Sequence, residues 1–133
     1  DLADTDRDAL RDLTRIVYPR ELWADWPGLR IEWGTAGWCV RVHEEGRLAS
    51  HVGIHLRHAA RDGVPERVGG VGGVKTHPDF RRRGHAALGL RRAAEFFREQ
   101  PDVAFAQLVC EPHLLGYYSS LGWKPGIVRW NIR

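Results

Sequence analysis

The chain has 133 residues, 43% of them hydrophobic and six of them Trp, enough for one core and a single domain spanning 1–133. Net charge is +3, but residues 1 to 26 hold seven acids against four bases, while Lys75 to Arg92 holds six bases against Asp79 alone, so one segment is built to meet anions. No apolar run approaches the roughly 18 residues of a membrane span, no charged-then-apolar signal opens the chain, and Cys39 and Cys110 stand alone; the expected setting is cytoplasmic, with no membrane, disulfide framework or metal knuckle.

The chain opens on Asp1 and holds no Met, so its natural start, with room for an N-terminal strand, is expected upstream. Thr5 followed by Asp8 has the form of a capping box, and Leu10, Leu13, Ile16 and Val17 recur at helical spacing until Pro19. A second short helix is expected from Arg20 to Trp26, before Pro27. Leu29 to Val42 favours strands, and Leu48 to His58 reads as a long strand between the turns Glu45-Gly46 and Asp62-Gly63. The result is an antiparallel meander. His51 and His55 share strand parity, but no third ligand stands near them, which argues against a metal.

After Arg67 the pattern changes. Val68, Val71 and Val74 are separated by glycine pairs, a period that suits neither a clean strand nor a helix and marks a bulge or a close approach. Thr76 to Phe80 is a turn, and Arg81-Arg82-Arg83-Gly84-His85-Ala86 opens a helix with Ala87, Leu90, Ala94 and Phe97 on its apolar face. Ala104 to Cys110 then forms a strand parallel to the first, giving strand, helix, strand. A glycine loop entering a helix offers unpaired N–H groups at the positive end of the helix dipole, where phosphate oxygens fit. With His85 after Gly84, neither a Walker A loop nor a dinucleotide fingerprint is present.

The segment Val74 to Ala86 resembles the acyl-CoA-binding motif of the GNAT acetyltransferases, [Q/R]-x-x-G-x-[G/A] after a strand, carried here by Arg81, Gly84 and Ala86. Downstream, Tyr117-Tyr118-Ser119-Ser120-Leu121-Gly122-Trp123 is similar to the family's [F/Y]-Y-x-x-x-G-[F/W] segment. The resemblance implies an α/β fold with a mixed sheet: N-terminal helices, the meander, two splayed parallel strands around the crossover helix, then a C-terminal helix and strand pair. It also implies acetyl-CoA as cosubstrate, a small-molecule or peptide amine as acceptor, and room for a homodimer. The resemblance maps pantetheine contacts onto the backbone of Val74 and Thr76, counts Lys75 between them with the cofactor-binding residues, and maps diphosphate contacts onto the amides of Arg82, Arg83, Gly84, His85 and Ala86, with Arg81 and Arg82 adding charge. The stretch from Cys39 through Gly73 bears a faint likeness to aminoglycoside 2'-N-acetyltransferases, and less to nodulation acyltransferases.

Transfer by direct attack on a thioester needs a base for the amine and an acid for the departing thiolate. The resemblance places the acid at Tyr118, with Tyr117 as packing. The base is open among Glu111, Glu66, His51, His55, His77 and water. Two other functions fit the same residues: a CoA-binding protein that takes a longer acyl chain or does no catalysis, and a phosphate-binding nucleic-acid module. The broad apolar face of the helix argues against the nucleic-acid module.

Overall fold

The computed structural model describes residues 3–19, 21 and 36–126. The first helix, α1 (Asp4–Val17), is capped by Ala3, whose carbonyl accepts the amides of Asp6 and Arg7. The expected capping box is absent: Thr5 lies inside the first turn, and no side chain caps the helix, so Asp4 and Asp6 stabilise this end through the helix dipole instead. Tyr18 leaves the helical region because Pro19 disfavours it there. The second helix expected over 20–26, the first part of the strand region from Leu29, and the final strand pair lie outside the described residues.

Both turn readings hold. Glu45 and Gly46 have φ of 51° and 72°, Asp62 and Gly63 have 51° and 78°, the paired positive values of tight hairpins. They join β1 (Trp38–Glu44), β2 (Arg47–Arg61) and β3 (Val64–Thr76). After a 3-10 turn at Pro78–Phe80 come α2 (His85–Glu99), β4 (Val103–Leu108), a second 3-10 turn at Pro112–Leu114, and α3 (Leu115–Ser120). The sheet order is β1-β2-β3-β4, antiparallel except for the parallel pair β3 and β4. Among the described residues no helix is long and apolar enough to cross a membrane.

The valine and glycine triplets, whose period suits no clean strand and marks a bulge or a close approach, form one continuous strand that carries both. Gly69 makes this possible on one face: a Cβ there would stand 2.5 Å from the Phe97 ring and 3.0 Å from Ala106. Gly73, at φ 59°, carries an irregularity in the pairing with β2. Gly69→Ala should therefore destabilise the protein by about 1–3 kcal/mol, since the buried Phe97 ring must move. Denaturant unfolding measures this; a midpoint equal to wild type would show that the ring yields freely.

The core lies between the sheet and α2, with Val52, Ile54 and Val71 packed on Leu90, Ala93 and Phe97. The buried face of α2 is thus Gly89, Leu90, Ala93 and Phe97 rather than one running through Ala87 and Ala94. Gly89 shifts the face by letting the helix close onto Val52, whose methyl would be 2.8 Å from a Cβ at that position. Ala94 instead borders a small cavity with Leu121 and Trp123. Helix α1 covers the opposite face. Lys75 reaches Thr14 of α1, and its cross-strand neighbour His51 has parity opposite to Val52, which faces α2.

Candidate active site

The parallel pairing of β3 with β4 runs only from Arg67 opposite Val103 to Val71 opposite Leu108. Beyond that point β3 continues to Thr76, while the other chain leaves its strand and turns into Pro112–Leu114. A wedge therefore opens between 72–76 and 109–111. The second strand ends at Leu108 rather than Cys110, which places Glu111 past the strand instead of at its end. Glu111 is exposed and lies 3.3 Å from His113.

At the open end of the wedge stands the entrance to α2. Among the described residues, the amides of Arg82 to Ala87 have no backbone or side-chain acceptor; the first amide to enter the helix ladder is that of Leu88, bonded to the Gly84 carbonyl. Gly84 caps the helix in the left-handed region at φ 79°, and a Cβ added to it would meet nothing within 4 Å. Arg82 also has a positive φ, 63°, a backbone state that costs a non-glycine residue about 1 kcal/mol and tends to mark functional loops. A row of uncovered donors, a helix dipole and open space together suit phosphate oxygens. Arg81 and Arg82 are exposed and form no ion pair among the described residues, so their charge is available.

The loop is held from below. Phe80 is buried, with the guanidinium groups of Arg47 and Arg83 at 4.9 and 5.4 Å from its ring centre and His77 and His85 packed edge-on. His77 caps the 3-10 turn, its Nδ1 accepting the Asp79 amide at 3.0 Å. Arg83 and His85 both bond the carboxylate of Glu44, at the end of β1. Bonding to His85 foremost, and then to Arg83, holds that carboxyl below the usual range against the opposing effect of desolvation. Glu44 escaped the sequence reading because nothing in its neighbourhood marks it: its partners lie on the far side of the hairpins.

Tyr118 sits on α3 and packs against the edge of the core on the α2 side of the sheet. Its position is set by the residues that follow. Gly122, at φ 93°, closes the helix, its amide bonding Ser119 O while the Trp123 amide bonds Tyr118 O, and Trp123 packs into the core. That closure explains why Gly and Trp follow the tyrosines at this spacing. Burial raises the pKa of Tyr118, and Cys110, Tyr117 and Tyr18 lie near enough to raise it further. Among the described residues its hydroxyl has no hydrogen-bond partner, and no side-chain oxygen is sealed from solvent without one, so the hydroxyl is accessible. Tyr117 is more exposed and stacks edge-on against Tyr118 at 5.2 Å.

On the α1 side, His51 is buried and its Nδ1 lies 2.8 Å from the Gly73 carbonyl, which assigns the hydrogen to Nδ1. Burial holds its pKa down against the raising effect of that bond, with Lys75 and Arg41 adding to the depression. Lys75, whose pKa burial also lowers, donates to Thr14 at 3.0 Å, so its ammonium points to α1 and only its backbone borders the wedge. Tyr18, which the sequence reading passed over, reaches the Val74 carbonyl at 3.5 Å. His55 is partly exposed beside Arg57. Glu66 pairs with Arg61 on the closed side of Val71, away from the wedge. A larger cavity of about 400 Å³ follows the outer edge of β1, lined by Trp38, Arg41 and Phe96 among others, and is separate from the wedge.

A family model described as an acetyltransferase (GNAT) domain matches residues 2–126. No curated protein matches the chain by sequence. Among solved structures, a transcriptional regulator from Bacillus halodurans C-125 superimposes with a TM-score of 0.72 at 14% identity, covering 100% of this chain and 96% of that one. The aminoglycoside N-acetyltransferase AAC(6')-Iy in complex with CoA gives 0.69 at 17% identity, over 99% and 91% of the two chains. Glucosamine-6-phosphate N-acetyltransferase from Arabidopsis thaliana gives 0.62 at 12%, over 71% of this chain and only 65% of its own length. At these identities the likeness is one of fold.

Proposed function

Because the chain belongs to the GNAT acetyltransferase family, we propose that it is an acyl-CoA-dependent N-acetyltransferase that moves an acetyl group from acetyl-CoA to the primary amine of a small molecule or peptide. The observation that carries this reading is the row of uncovered amides from Arg82 to Ala87 at the open end of the wedge. Those donors fit a diphosphate, with Arg81 and Arg82 adding charge and Gly84 leaving room. Backbone groups of Val74 and Thr76 along the wedge fit an extended pantetheine arm, with Lys75 between them fastened to α1. Arg83 and His85 shape the loop through Glu44.

Acetyl-CoA bound in this way would supply a thioester carbonyl open to attack. The chain's own part is orientation and proton movement. Tyr118, whose hydroxyl burial holds in the protonated form, donates its proton to the departing sulfur, which leaves as a neutral thiol. Glu111, exposed past β4, takes the amine's proton through water rather than by direct contact. A nucleic-acid role is disfavoured because the apolar face of α2 is spent on the sheet.

The test is release of free thiol from acetyl-CoA across a panel of amines, alongside calorimetry with CoA. Thiol release that depends on the amine is expected for at least one acceptor. Failure of CoA to bind would sink the reading altogether, while CoA binding without turnover on any amine would reduce it to a binding protein.

A further inference from the structure

A carboxylate beside an anion cradle is at first sight misplaced. Glu44 stands at the last position of β1, its side chain only 27% exposed, and each of its oxygens is committed: one to Arg83, the other to the largely buried His85. Both partners also pack on Phe80, and both lie within the stretch of uncovered amides. Arg83 has a long side chain next to N–H groups that must stay clear for a ligand. Tying it to β1, over Phe80, fixes where that side chain goes.

We propose that Glu44 is a positioning residue of the cradle: by holding Arg83 and His85 against the end of β1, it keeps the amides of Arg82 to Ala86 open and aimed outward for a diphosphate. This rests on the reading of that loop as the acyl-CoA site. Pre-organisation of this kind lowers the ordering cost that binding must otherwise meet. It also sets two effects of the same residue against each other. As a bare charge Glu44 repels an anionic ligand, and its removal tightens binding; as a positioning residue its removal loosens binding.

The sign separates them. Calorimetry with CoA should give Glu44→Ala a dissociation constant about tenfold higher than wild type, about 1.4 kcal/mol, although the substitution deletes a negative charge. Glu44→Gln keeps an acceptor for Arg83 and a partner for His85 without the charge, and should bind within about threefold of wild type. Thermal melts check that both variants fold. If Glu44→Ala binds CoA as well as wild type or better, the proposal is overturned; it is equally overturned if Glu44→Gln is as weak as Glu44→Ala, since the charge and not the geometry would then matter. Inorganic pyrophosphate serves as a second probe. Wild-type protein that binds pyrophosphate but not CoA removes the acyl-CoA reading while the order of the three proteins on pyrophosphate still decides the role of Glu44; binding of neither removes both.

Discussion

Tyr118→Phe should lower kcat by roughly a hundredfold or more, the range for loss of a general acid, while the dissociation constant for CoA stays within about threefold of wild type. The expectation is sharp because the hydroxyl has no structural work among the described residues. It accepts and donates no internal hydrogen bond, and the ring, which packs at the edge of the core, is retained in Phe. The cost in stability should therefore be small. Stopped assays of thiol release with a competent amine measure kcat, and calorimetry measures binding. Undiminished turnover would remove the acid role, and a parallel loss of CoA affinity would make Tyr118 a binding contact instead. The accessible phenol next to Cys110 and Tyr18 would then need another explanation.

Gly84→Glu should raise the dissociation constant for CoA by about a hundredfold or more, because about two charge-assisted hydrogen bonds of roughly 1.5–3 kcal/mol each would be denied to the diphosphate. A side chain at this position points into open space, since nothing lies within 4 Å of its Cβ, so the fold itself has no clash to resolve. The positive φ costs about 1 kcal/mol, partly offset by a carboxylate at a helix N-terminus. Gly84→Ala, with the same backbone strain but little bulk and no charge, provides the control and should lose far less affinity. Equal affinity of Gly84→Glu and wild type would place the ligand elsewhere, and equal losses in the two variants would trace the effect to the backbone.

These two residues were legible because each belongs to a short stretch with its own local chemistry. Gly84 follows the arginines and precedes a helix; Tyr118 is followed by the Gly122 and Trp123 that close its helix. The hairpins were equally local, since Glu45-Gly46 and Asp62-Gly63 carry the backbone conformations their turns require. One reading failed where a neighbour remote in sequence decided the outcome. The buried face of α2 runs through Gly89 and Ala93 rather than Ala87 and Ala94 because Gly89 allows contact with Val52, whereas the close approach expected at the glycine triplets is met by Phe97 over Gly69. The capping box failed for a different reason: the helix began one residue before Thr5, and the Ala3 carbonyl was sufficient to start it.

The sequence by itself determined the hairpins, the helices α1 and α2 and the glycine turn that opens α2, since turns and helical periodicity depend on contacts within a few residues of chain. Only the tertiary structure decided that β3 and β4 part after Val71 and Leu108, that Lys75 turns to Thr14 of α1, and that Glu44 holds Arg83 and His85. Those outcomes depend on register and on which faces meet. Such pairings join segments tens of residues apart, and no local window of sequence carries them.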